Sequence, residues 1–357
     1  MAAQGNEQQG VRFLFIVAAF VIIIWGIYQA QSVLVSFLVS IYFAVIGTSP
    51  LLWLERKRVP SVIAVLLVVG GIIGILLIIG VLAGTSINSF TNALPVYQAR
   101  MREQLSALRE LLARGEIEIS DKFLLDYVNP GAVMGLTASL LSGLGSVLSN
   151  IVLILLTMTF ILLEASSFPV KLRAILDNPE AVFPHFSRFV ETIKRYMVIQ
   201  SGISLVTGIL IGSWLAIIGV DFPVLWGLMA FLLNYVPNLG SIIAAIPAIL
   251  VALIQLGVGR AALAAAGYIV INFMIGNVLQ PRLMGRGLGL STLVVFLSLI
   301  FWGSLLGLVG MVLSIPITMA FKIAFESNER TRWIAVLLGP ELSSAVVLTE
   351  QRTPDAK

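Results

Sequence analysis

Cysteine is absent, and histidine occurs once, at His185. Without thiols the chain has no disulfide, thiolate nucleophile, zinc–thiolate site or iron–sulfur cluster to offer. One imidazole is too few for a histidine-built metal site or a serine–histidine relay. Charge is scarce as well: Asp, Glu, Lys and Arg make up 11% of the 357 residues, where a soluble domain carries about 25%. Hydrophobic residues make up 59%, and the mean hydropathy is +1.02. So few charges cannot cover so large an apolar content in water, because the surface would become one continuous apolar patch. The soluble globular class is excluded, and the chain reads as an all-α polytopic membrane protein. No lysine follows a Gly-x-x-x-x-Gly, which removes the phosphate-cradling loop. The glycines Gly285, Gly287 and Gly289 lack the strand that a dinucleotide fingerprint needs. These absences argue against an enzyme, and no cofactor, metal or nucleic-acid partner is expected.

Long apolar runs are what the chain does have. About 20 apolar residues, rising 1.5 Å each, cross about 30 Å of hydrocarbon. Runs of that kind occupy 11–28, 33–54, 61–84, 142–164 and 196–219. Within the first, the apolar stretch Phe13 to Tyr28 has Arg12 before it but no small-residue cleavage pattern after it, so it reads as an uncleaved helix. Beyond residue 219 come runs at 222–235, 239–257, 261–279, 292–301 and 305–323, of which 222–235 and 292–301 are short for a crossing.

Basic residues orient the spans, because cytoplasmic loops collect Lys and Arg. The densest basic loop is Glu55, Arg56, Lys57 and Arg58. Placing it in the cytoplasm puts both termini there, together with Lys171, Arg173, Arg188, Lys194, Arg195, Arg282 and Arg286. Among the short loops, Arg260 is the one base that falls on the outer side. The organisation expected is three spanning helices (1–84), an extracytoplasmic helical region (85–141), two further spans with a cytoplasmic amphipathic linker (142–219), a hairpin–helix–hairpin core (220–325) and a cytoplasmic tail (326–357). Within the outer region Tyr97, Met101, Leu105, Leu108 and Leu112 recur at helical spacing and predict an amphipathic arm.

The two short runs each meet a longer one across a glycine-containing turn, and both passages end in Ile-Pro. By the orientation above, the first hairpin enters from outside and the second from inside. That is an inverted-repeat pattern, in which broken helices expose backbone groups to a solute. Ordinary full spans with short loops are the alternative. The uncharged polar residues here are the candidate site: Asn234, Tyr235, Asn238 and Ser241 at the first turn, Asn272, Asn277 and Gln280 on the crossing helix, Trp302 and Ser304 at the second turn. Asn and Gln both donate and accept, which suits a neutral polyhydroxylated solute. No Asp or Glu occurs between Asp221 and Glu326, and cation or proton antiport normally requires an intramembrane carboxylate. Asp221 and Glu164 are the only candidates for ion coupling.

The stretch from Asp221 through Asn234, Tyr235, Val236, Pro237, Asn238, Leu239, Gly240 and Ser241, then Gln280, Pro281, Arg282, Leu283, Met284, Gly285, and then Phe301, Trp302, Gly303, resembles the autoinducer-2 exporter family of bacterial permeases. Ser49 to Pro60 resembles that family's link between its second and third spans. Thr292 stands where the family more commonly has proline. The resemblance implies about eight membrane-embedded segments in a bacterial inner membrane. It further implies export of a small hydrophilic solute such as autoinducer-2, and a ring-like homo-oligomer, expected to be a pentamer. It marks Asn234, Pro237, Asn238 and Gly240 as a first-turn motif, and Gln280, Pro281, Arg282, Gly285 and Gly289 as an inner-loop motif. Other members are assigned sodium/proton antiport. A membrane scaffold that engages partners through the outer arm is the competing non-transport reading.

Overall fold

The computed structural model describes residues 15, 17–19, 21–113, 150–165, 167–175, 179–237, 239–284, 289–326 and 329–340. Asn238, Gly285, the outer segment beyond 113 and most of the tail lie outside these residues. The described residues form helices and no strand. In chain order the helices are α1 (Val17–Gln29), α2 (Gln31–Arg56), α3 (Ser61–Ala113), α4 (Ile151–Ala165), α5 (Phe168–Ile175), α6 (Pro179–Ile218), α7 (Pro223–Leu233), α8 (Leu239–Leu256), α9 (Val258–Met274), α10 (Gln280–Met284), α11 (Thr292–Glu326) and α12 (Arg332–Leu338). A π-turn, Ile275–Leu279, joins α9 to α10.

Five stretches are long and apolar enough to cross a membrane: Gln31–Arg56, Ser61–Glu103, Val190–Ile218, Val258–Met284 and Thr292–Glu326. Their outward faces are studded with exposed apolar side chains, such as Leu66, Ile217, Ile269 and Leu293 at 62–79% of full exposure. Such faces are stable only against lipid, so the protein is a multi-pass membrane protein. Pro50, Pro247 and Pro316 sit inside helices; neighbouring helices and local adjustments make this tolerable in a membrane.

Two packed clusters organise the bundle. One joins α2, α3 and α4 through Ala44, Leu51, Val65, Met158 and Leu162. The larger joins α3, α6, α7, α8 and α9 around Trp226, Ile211, Leu215, Ala248 and Tyr268. Within it α6 and α7 approach to backbone contact. A Cβ on Gly208 would stand 2.7 Å from the Gly227 carbonyl oxygen, so the Gly208/Gly212 spacing serves this crossing.

The α6 terminus shows why the chain turns where it does. Gly219 takes φ 84°, and Val220 N donates to the Leu215 carbonyl at 2.9 Å while Gly219 N reaches Ala216 at 3.1 Å. These are the paired bonds of a left-handed glycine cap. Arg260 Nη1 donates to the Ile218 carbonyl at 3.2 Å, which gives this base a capping role. Pro223 then opens α7 at a position where its missing N–H costs nothing.

α7 and α8 form a helical hairpin whose open end is tied by one side chain. Gln255 accepts from Asp221 N at 2.9 Å and donates to the Gly219 carbonyl at 3.2 Å. At the closed end a Cβ on Gly240 would fall 1.7 Å from the Leu233 carbonyl oxygen, so only glycine fits there.

α11 is likewise folded back on itself. Gly307 breaks it with φ 64° and ψ −147°. Trp302 Nε1 donates to Thr318 Oγ1 at 3.1 Å, and Thr318 to Ser298 Oγ at 2.9 Å. In a straight helix Trp302 and Thr318 would be about 24 Å apart. The spacing of the sequence places this turn at Trp302–Ser304. The structure places it at Gly307, because that backbone conformation is open only to glycine.

The outer arm differs from expectation in one respect. α3 runs unbroken through Pro95 over 53 residues, about 80 Å, so the spanning helix and the arm are one element. Tyr97 and Met101 are buried, as their spacing predicts. The side chains of Leu105, Leu108 and Leu112 lie outside the described residues.

Candidate functional site

A cavity of about 790 Å³ lies between α6, the α7–α8 turn, α8, α9, the π-turn and the start of α11. Asn234, Pro237 and Ser241 face it from the first turn, and Asn272, Asn277 and Gln280 face it from the crossing helix. Leu290, Thr292, Val295 and Ile315 close it from the α11 side. Among the described residues, no charged side chain lines it.

Each polar wall has a local cause. The π-turn inserts a wider loop into α9 where Ile275, Gly276 and Asn277 meet the cavity, a distortion frequent at functional sites. Asn277 Nδ2 donates to the Phe273 carbonyl at 3.2 Å, which satisfies one carbonyl that the wider turn displaces. Gln280 opens α10 and contacts the Met284 sulfur at 3.8 Å. The first turn is held by α6: Gln200 Nε2 donates to the Asn234 carbonyl at 2.8 Å, and Asn234 Nδ2 donates to Ser204 Oγ at 3.0 Å.

Other residues singled out by the sequence stand elsewhere. Tyr235 is buried behind the turn, where it accepts from Tyr42 at 2.9 Å. Gly240 shapes the turn. Pro281 and Arg282 lie on the exposed face of α10. Trp302 rivets the two arms of α11, stacked on Phe321 at 5.9 Å. Ser304 is exposed and donates to the Phe301 carbonyl at 2.9 Å. Neither Trp302 nor Ser304 lines the cavity, because the bend falls five residues after Trp302. The two carboxylates are engaged away from the cavity as well. Glu164 is exposed and pairs with Lys171 at 2.5 Å. Asp221 accepts from Tyr97 Oη at 2.5 Å.

Tyr196, Gln200 and Tyr268 also line the cavity and were not among the residues expected. Gln200 carried a signal: an amide within an otherwise apolar span is costly and marks a function or a polar partner.

Long apolar helices around an uncharged, amide-lined cavity describe a membrane transport protein. The comparisons specify which kind. The chain belongs to the AI-2E transporter family, whose model, "AI-2E family transporter", matches residues 14–330. It is 42% identical to the "AI-2 transport protein TqsA" of Escherichia coli (strain K12) over 92% of this chain and 96% of that one. It is 35% identical to YhhT of the same organism, which is named only as a candidate transport protein, over 94% of this chain and 96% of that one. A similarly named protein of Haemophilus influenzae is 37% identical over 92% of this chain and 96% of its own length.

Proposed function

We propose that the protein is a secondary exporter of a small, uncharged, hydroxyl-bearing solute across the bacterial inner membrane, and that the cavity holds the solute in transit. The observation that carries this reading is the convergence of Asn234, Ser241, Asn272, Asn277, Gln280 and Gln200 on one cavity without a charge. Amide groups match hydroxyls in both directions, whereas an ionised solute would find no counter-charge there. The name of the 42% identical relative makes autoinducer-2 the first solute to test.

The basic loop at Arg56 sets the cytoplasmic side, so Gln31 and Gly219 are at the outer side. Tyr42, which touches the first turn, stands 11 residues from Gln31 and 14 from Arg56 within α2, about 16 and about 21 Å along the axis. The α7–α8 pair is then a re-entrant hairpin that reaches mid-depth from outside. The α11 pair enters from the cytoplasm and goes deeper, for its bend at Gly307 comes within 3.7 Å of Gln31 when measured from a Cβ built on that glycine. The two hairpins thus oppose each other with unequal reach. Irregular backbone at such depth is tolerable only beside protein or a wet cavity.

Inside-out vesicles carrying the purified protein are expected to accumulate autoinducer-2 down its gradient. Asn272→Ala removes an amide from the cavity wall and is expected to lower the initial rate about 3- to 10-fold at subsaturating solute, the effect of one neutral hydrogen bond. Rates equal to protein-free vesicles for autoinducer-2 and for a panel of neutral polyols would overturn the reading.

A further inference from the structure

Behind the first turn, out of the cavity, three hydroxyls from three elements meet. Tyr42 on α2 lies 2.6 Å from Ser201 Oγ on α6 and donates to Tyr235 Oη at 2.9 Å. Ser201 Oγ also lies 2.6 Å from the Met197 carbonyl oxygen, and its one proton is shared between that carbonyl and Tyr42 Oη. The Tyr42 and Tyr235 rings meet edge to face with centroids 6.3 Å apart. None of the three side chains lines the cavity, yet Tyr235 follows directly on Asn234, which does.

A hydroxyl buried among apolar helices has no water to fall back on, so separating the three elements strands at least one of them. The turn is therefore held in two ways. Gln200 and Ser204 grip Asn234 from α6, and the hydroxyl cluster fastens the turn to both α2 and α6. The cavity is open on the side where Ile242, Ile269 and Phe273 are exposed, and this turn is a wall whose movement changes how far Ser241 can be reached. The cheapest movement breaks few bonds and lets their hydroxyls re-pair.

We propose that Tyr42, Ser201 and Tyr235 form a latch that holds the tip of the α7–α8 hairpin in place as one wall of the cavity, with Tyr42 and Ser201 as positioning residues that touch no solute. Breaking the latch raises the frequency with which the tip swings away and opens the cavity further at Ser241. The consequence for transport, an altered maximal rate with little change in half-saturating solute, rests on the export reading above. The opening itself does not.

The absence of native cysteine allows a direct test on the full chain in membrane vesicles. S241C places a thiol on the cavity wall, and V258C places one at the start of α9, just beyond the hairpin's open end, at a position 75% exposed in the parent. The rate of N-ethylmaleimide labelling reports access at each. Y42F and S201A are each expected to raise labelling at S241C about 3- to 10-fold, as loss of one neutral hydrogen bond predicts, and to leave V258C unchanged. Should Y42F fail to fold, S201A alone decides. Unchanged labelling at S241C, or an equal rise at both positions, would overturn the latch. A selective rise in a protein that moves no solute would uphold the latch and remove the export reading.

Discussion

Gly307 holds a backbone conformation, φ 64° and ψ −147°, that a side chain makes costly. Gly307→Ala is expected to cost about 1–3 kcal/mol and to lower the unfolding midpoint in detergent by a few degrees. Gly70→Ala is the matched control: no atom lies within 4 Å of its would-be Cβ, and a helical alanine is neutral or slightly favourable there. Equal midpoints for both variants would contradict the assignment of the bend. Of the glycines in this stretch, the sequence does not distinguish which one bends. Gly303, Gly307 and Gly310 look alike as letters. Gly303 faces Met311 and Gly310 the Trp302 carbonyl, so both are taken up by close packing between the arms, and the bend is left to Gly307. That division depends on the arms already being paired, which no local pattern encodes. Gly219 was readable by contrast, because a glycine directly after a long apolar run is the ordinary signature of a helix end.

Among the elements, α3 shows the most unexpected link. Its outer half reaches the start of α7, where Phe90 and Tyr97 meet Phe222 edge to face at 5.6 and 6.3 Å. Phe222 is one of two non-glycine residues with positive φ among the described residues, at 59°. The packing of these rings holds that strained residue in place. Tyr97 lies 36 residues into α3 from Ser61, about 54 Å along the axis, well beyond a hydrocarbon layer of about 30 Å. Burial, and then its bond to the Asp221 carboxylate, raises the Tyr97 phenol above its ordinary 10.0. The docked form therefore favours the protonated phenol. Its stabilisation is full below pH 10 and is lost as pH rises from there through the raised value. Amide exchange in residues 90–101 is expected to be unaffected between pH 8 and 10, after correction for intrinsic rates, and to accelerate above it. Tyr97→Phe should show the accelerated exchange already at pH 8. A variant that matches the parent at every pH would remove this contact from the account. The arm's amphipathic spacing was legible in the sequence, but its partner was not, since Tyr97 and Asp221 are separated by 124 positions.

At the scale of the whole molecule, the membrane class and most of the cavity's polar residues follow from the same fact. In a chain this apolar, an Asn or Gln within a hydrophobic run stands out, and Asn234, Asn272, Asn277 and Gln280 do meet. What holds the turn from behind was hidden, although Gln200 itself stands out as an amide in an apolar span, because Tyr42 and Gln200 lie far along the chain from the residues they bind. Their partners are 193 and 34 positions away. The scarcity of charge also separates the possible cargoes. Of the candidates for ion coupling, Glu164 pairs with Lys171 and Asp221 with Tyr97, both away from the cavity. The central claim is that this cavity holds an uncharged solute. Its most direct test is a thermal-unfolding titration of purified protein with autoinducer-2 and neutral polyols, set against their phosphorylated or carboxylated counterparts. A ligand bound only by the folded state stabilises it by about 2.7 kcal/mol at 100 times its Kd. The account predicts a concentration-dependent rise in the midpoint with at least one neutral solute, none with its ionised counterpart, and a weaker rise in Asn272→Ala. A rise that favours the ionised solutes, or that Asn272→Ala leaves intact, would contradict it.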